Sequence, residues 1–260
     1  MRYLTWRLAM TAAALALLTH PSAFGDTIVA PNGNTNTSGN GAQYGIFDSG
    51  AVTFQYAYNA SQFAGISSGS VLTGIGFRLP ANMDTFAPAL NFSQYSISVG
   101  TATVPVESLS TNFAANVSAD DAVVLSGPLT IPGGSLVGGS DPNQFYELVF
   151  GAPFVYHGGA LVVTIRHNAS TTTSPPPVDG NLIGTGTTTL PLTLVNSVAA
   201  FGSNTATIGE AGYFNVPITK FYFQPSDGVV PEPASIVSSG AAIAMMVVSF
   251  GLRRRRRHAA

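Results

Sequence analysis

The feature that most constrains this chain is a period of two, repeated in short runs. In SVLTGIGFRLP, Val71, Ile75, Phe77 and Leu79 occupy alternate positions with Thr73 among them, while Gly74, Gly76 and Arg78 fall on the other set. In SQYSISVG, Tyr95, Ile97 and Val99 alternate with Gln94, Ser96 and Ser98, and in GALVVTIRHN, Leu161, Val163 and Ile165 alternate with Val162, Thr164 and Arg166. Successive side chains of a strand point to opposite faces, so such alternation puts one set into a core and leaves the other outside. Similar runs lie around 54–58, 123–125, 145–150, 190–195 and 214–223, broken by Gly-Gly, Asp-Pro and Pro-Gly signals. No stretch of helical period reaches the length of an ordinary helix.

Eight or nine strands of this kind predict an all-β body over 26–228, an antiparallel β-sandwich of jelly-roll-like form. Pro105, Pro128, Pro132, Pro153 and Pro217 belong at strand ends, edges or bulges, since proline brings no ladder donor. The stretch PNGNTNTSGNG, residues 31–41, is too polar and glycine-rich to hold a fixed structure alone, so 26–42 reads as a flexible lead-in.

With 45% hydrophobic and 8% charged residues the chain is too apolar for disorder. Cysteine is absent, which removes disulfides, thiolate metal sites and cysteine catalysis together. Between residues 26 and 230 the cations are Arg78, Arg166 and Lys220, against eleven carboxylates, for a net charge of −8. Such a body does not bind nucleic acid or anionic lipid by electrostatics, because both need a basic surface.

The two ends differ from the body. Arg2 and Arg7 precede an uncharged run from Leu8 to Leu18, and Ala23 and Gly25 supply the small residues before a cut that would leave Asp26 first. Residues 1–25 therefore read as a signal peptide, the apolar run being shorter than the ~20 residues that span a bilayer. At the other end Val230-Pro231-Glu232-Pro233 leads into an apolar span over 233–252, and Arg253, Arg254, Arg255, Arg256 and Arg257 follow at once. The span is long enough for one transmembrane helix, and the arginines of 253–260 hold that side cytoplasmic while the body is exported. Two prolines fix φ and remove N–H donors around Glu232, keeping the segment extended where a processing enzyme can bind it.

Pro231-Glu232-Pro233, the single apolar span and the basic cluster, in that order over 229–260, resemble the PEP-CTERM sorting signal of bacterial exported proteins. The resemblance implies recognition and cleavage by an exosortase-like membrane enzyme, in cells that make exopolysaccharide. Stretches such as LTGIGFRL, LSTNFAAN and FYELVFGAPFVYHGGALVVTI also resemble the bodies of small exported proteins carrying this tail. Leu190-Pro191-Leu192-Thr193-Leu194 is superficially like a sortase pentapeptide, but it has leucine where that motif has glycine, and it reads as a strand.

Little in the body suggests chemistry. His157 and His167 are its only histidines; on an extended chain they lie roughly 33 Å apart and cannot share a metal. Asp120 and Asp121 offer adjacent oxygens of the kind calcium prefers, but the spaced acidic loop of an EF-hand is missing, and a solvated turn is the plainer reading. Neither the H-E-x-x-H helix nor the phosphate-binding Gly-rich loop is present. A hydrolase would need the fold to unite carboxylates such as Asp120 and Glu147. The expectation is an exported, non-enzymatic surface or matrix protein that needs no cofactor or metal. The alternative is a carbohydrate-binding sandwich, weakened because Trp6 lies in the segment to be removed.

Overall fold

The computed structural model describes residues 26–184, 187–211 and 215–225. They fall within a single unit spanning Gly25–Ser226. The signal-peptide residues Ala23 and Gly25, the sorting motif Pro231, Glu232 and Pro233, the span 233–252 and Arg253 to Arg257 lie outside the described residues.

Among the described residues thirteen strands form three antiparallel sheets. A four-stranded sheet runs in the order β1 (Asp26–Ala30), β13 (Thr219–Gln224), β4 (Val71–Phe77), β7 (Tyr146–Val155). A six-stranded sheet runs β11 (Glu210–Ala211), β10 (Val195–Phe201), β3 (Val52–Tyr58), β8 (Leu161–His167), β5 (Leu90–Thr101), β6 (Ala122–Ile131). A small third sheet orders β12 (Asn215–Pro217), β9 (Val178–Leu182) and β2 (Gly41–Gln43). The described helical elements are four single 3-10 turns, and no helix among the described residues is long and apolar enough to cross a membrane.

The alternating residues meet where the pattern requires. Phe54, Tyr56 and Tyr58 of β3, Ile97 and Val99 of β5, and Leu161, Val163 and Ile165 of β8 share one core with Leu72, Ile75, Phe77, Leu148, Phe221 and Phe223 of the four-stranded sheet. Tyr58 meets Phe221 edge-on at 5.7 Å between ring centroids, and Phe63 packs on Phe221 at 5.1 Å. The fold is therefore a sandwich-like all-β body. Its driving force is the removal of these rings from water, at about 25 cal/mol per Å² of apolar surface.

The six-stranded sheet is also covered on its other face. Val106, Leu109 and Phe113, from the connection between β5 and β6, pack on Ala57, Val162 and Val198 in a second cluster, so β3 is buried on both sides. The polar members of that face are hydrogen-bonded, as burial demands. Gln55 donates to Thr164 Oγ1 (2.9 Å) and the Phe113 carbonyl (3.1 Å), and accepts from Asn116 Nδ2 (2.7 Å).

Four expectations change. Residues 26–43 are not a loose lead-in: β1 pairs with β13 from Asp26↔Phe223 to Ala30↔Thr219, and β2 pairs with β9. This segment is too polar to fold alone, but its backbone finds partners in residues nearly 200 positions away. Leu190 to Leu194 is a turn closed by Leu194 N–H donating to the Pro191 carbonyl (2.9 Å), and the strand starts only at Val195. The leucines nonetheless pack against the main core. The 214–223 run is divided into β12 and β13 at Ile218. The strands number thirteen, because β1, β2, β9 and β11 carry no clear alternation. The prolines fall as expected: Pro128 sits in edge strand β6 at a register shift, Pro153 in an unpaired part of edge strand β7, Pro217 at the end of β12, and Pro105 and Pro132 outside strands.

Candidate functional site

A cavity of about 540 Å³ lies against β1. The turn after that strand, the segment 62–65 and residues 142–145 form its other walls. That volume is within the range of small-molecule sites. Two of the three cations of residues 26–230, Arg78 and Lys220, line it, and among the described residues no carboxylate does.

Arg78 follows β4 directly, and its position is over-determined. Its Nε donates to Asp179 Oδ2 at 2.8 Å, its Nη2 donates to the carbonyls of Thr37 (2.6 Å) and Asn34 (3.2 Å), and its guanidinium lies 4.8 Å from the Phe145 ring centroid. Both ion-pair partners are 1% exposed. Burial raises the Asp179 carboxyl, while the guanidinium and the N–H groups of Gly39 and Gly180 pull it back down. Guanidinium has five N–H donors, so two remain: those of Nη1 have no acceptor among the described residues. The same ion pair orders the lead-in. Gly39 N–H donates to Asp179 Oδ1 (3.0 Å), and the Gly39 backbone lies so close to β9 that a Cβ there would fall 1.9 Å from the Gly180 carbonyl oxygen.

Lys220 is reached by the alternation of β13. Phe221 and Phe223 enter the core, so Lys220 and Tyr222 lie on the outer face. Lys220 Nζ stands 5.2 Å from the Tyr222 ring centroid and 6.0 Å from that of Phe145, and it has neither a hydrogen bond nor an ion pair among the described residues. Burial, with the nearby Glu147 charge, raises the Tyr222 hydroxyl to about 12. Glu147 faces Gly76, which in turn faces Lys220, so their backbones are two strand spacings apart, roughly 10 Å, and the two charges form no ion pair.

A smaller cavity of about 150 Å³ holds the remaining arginine. Arg166 Nη1 donates to Thr53 Oγ1 (2.9 Å) and the carbonyls of Ala206 (2.8 Å) and Asn204 (3.3 Å), and its guanidinium lies 5.6 Å from the Phe113 ring centroid. Asp121 lines the same cavity. Its carboxyl is raised first by burial and also by Asp120, and lowered by Ser98 and Arg166.

The residues singled out in the sequence are dispersed. Asp120 closes a turn: it accepts from Thr101 N–H (2.9 Å), Thr101 Oγ1 (2.6 Å) and Ser118 Oγ. Burial raises its pKa, but these hydrogen bonds outweigh it and hold the carboxyl below its ordinary value. Glu147 is exposed on β7, part of the four-stranded sheet. His157 is exposed, 6.5 Å from Phe154 between ring centroids. His167 is fully buried, stacked on Tyr95 at 5.4 Å and 2° and bonded to the carbonyls of Asn168 (2.7 Å) and Gly45 (3.3 Å). Among the described residues no three His, Asp or Glu side chains converge as metal ligands.

Arg78, Asp179, Phe145 and Lys220 were not singled out by sequence. One signal was present: an arginine in the alternating run that ends β4 of a body with three cations. In comparisons with known proteins, no family model matches the chain and no curated protein matches it.

Proposed function

We propose that this is an exported, non-enzymatic surface or matrix protein, whose jelly-roll-like body is carried out by residues 1–25 and sorted through 229–260. The observation that carries this reading is the order Pro231-Glu232-Pro233, apolar span, Arg253 to Arg257. In this reading an exosortase-like enzyme binds the extended tripeptide, the 233–252 helix holds it at the membrane, and the arginines fix its direction. The body is then retained in the envelope or the exopolysaccharide. Glu232→Ala leaves the apolar span and the basic cluster intact, so uncleaved precursor should accumulate in the membrane of a host that carries the enzyme. Processing and localisation like those of the parent would reduce the tripeptide to a stiff linker.

The Arg78 cavity favours a second reading, a saccharide-binding module. A sugar needs a concave surface, an aromatic contact and amide or hydroxyl partners. Phe145 supplies the ring, and Asn32, Asn36 and Gln62 border the same space. Phe145→Ala should abolish retention on a polysaccharide column; unchanged retention would place binding elsewhere.

A further inference from the structure

The geometry points to the β1 cavity as a site for an acid-bearing saccharide, with the Nη1 of Arg78 and the Nζ of Lys220 receiving the carboxylate. This assignment rests on the saccharide reading above and deepens it by naming the charge class of the ligand.

Three observations lead to it. The first is charge: two of three cations line one cavity with no carboxylate among its described walls, although carboxylates outnumber cations in the body. The second is unused hydrogen-bonding capacity. Arg78 is 1% exposed, and its Nε and Nη2 are held by Asp179, Asn34 and Thr37, so Nη1 is fixed in place with two N–H groups unspent. Lys220 brings three more donors, with no acceptor among the described residues. The third is the neighbourhood. Both cationic groups lie within 6.0 Å of the Phe145 ring centroid, and neutral amides complete the wall. A carboxylate on a hydroxyl-rich ring meets each of these features.

Net body charge narrows the class further. A densely charged polyanion meets repulsion from a body of net −8, whereas a saccharide with one acid group per few sugars presents its charge only at the cavity, within the Debye length of about 8 Å.

The test is titration calorimetry on the full chain in a polyoxyethylene detergent, which carries no sugar headgroup. The probes are a hyaluronan hexasaccharide, with one carboxylate per disaccharide, and cellohexaose, its uncharged counterpart in length. The acidic probe should bind, and the neutral one should bind about tenfold more weakly or worse, as expected for loss of a charge-assisted hydrogen bond. Lys220→Gln should bring the acidic probe down to the neutral level and Lys220→Arg should restore it. Lys220 has no polar partner among the described residues, so neither change disturbs the fold, which circular dichroism checks. Equal binding of both probes overturns the acid assignment and leaves the saccharide reading standing. Binding of neither overturns both. Acetate matching the hexasaccharide in affinity shows a site for small anions, and overturns the assignment to a saccharide.

Discussion

The two body arginines show how similar surroundings give different sites. Each follows an apolar position in a strand run, lies over a phenylalanine and lines a cavity. Arg166 shares its cavity with Asp121, so its charge is met from within, although only its Nη1 is hydrogen-bonded among the described residues, to two carbonyls and a hydroxyl. Arg78 is neutralised by Asp179, which is buried and not among the residues lining the cavity, and Lys220 adds a second charge with no ion-pair partner among the described residues. A cation becomes available to a ligand when its counter-ion is placed out of the ligand's reach.

The comparison is broken most severely at Arg78. Arg78→Met leaves the buried Asp179 without its counter-ion, an expected loss of about 3–5 kcal/mol in denaturant unfolding. The double change Arg78→Met with Asp179→Leu should recover most of it, since a buried pair replaced by apolar groups is often neutral. A double variant as unstable as the single one would mean that the carbonyls of Asn34 and Thr37, not the carboxylate, are what Arg78 mainly serves.

Gly39→Ala tests the lead-in separately. Its Cβ would meet the Gly180 carbonyl oxygen at 1.9 Å, a backbone contact with no flexible side chain to yield, so about 2–3 kcal/mol should be lost. Hydrogen exchange should speed up at 32–43 before the rest of the body. Arg166→Gln should cost less, about 1–2 kcal/mol, because the residue is half-exposed and water reaches the carbonyls it leaves. Faster exchange there belongs to 203–206.

A smaller effect comes with pH. Burial depresses His167 below its ordinary 6.5, against the pull of the Asn168 and Gly45 carbonyls and of Asp48. The unfolded chain then binds the proton more readily, so this group's contribution is complete above about 6.5 and is lost as pH falls towards the depressed value. His167→Phe should flatten that part of the stability profile; an unchanged slope would assign it to another group. Smallest of all, Lys220→Gln should alter stability by no more than about 0.5 kcal/mol, which separates the ligand-facing cation from the structural one.

Legibility in the sequence followed the source of each element's stability. β3, β4, β5 and β8 are stabilised by one apolar face, and a period of two exposes that directly. β9 reads Val-Asp-Gly-Asn-Leu, a turn by composition, yet it is a buried strand because Asp179 meets Arg78 and Asn181 meets Asn34. Those partners lie 101 and 147 positions away, beyond any local pattern. β1 and β2 were hidden for the same reason. The outward positions Ala57, Val162 and Val198 were an overlooked clue that the six-stranded sheet carries a second cover. At the site, the rarity of cations was an unused signal for Arg78 and Lys220, and only the register of β13 on β4, with the return of residues 142–145, puts both beside Phe145.

Both cavities can meet a matrix only if the body is delivered outside the cell, which makes processing the central claim. The direct measurement is the intact mass of the protein recovered from the envelope of cells that produce it. The account predicts a chain that begins at Asp26 and lacks Arg253 to Arg257, with any group attached at the new end appearing as added mass. A recovered chain with the mass of all 260 residues would contradict it.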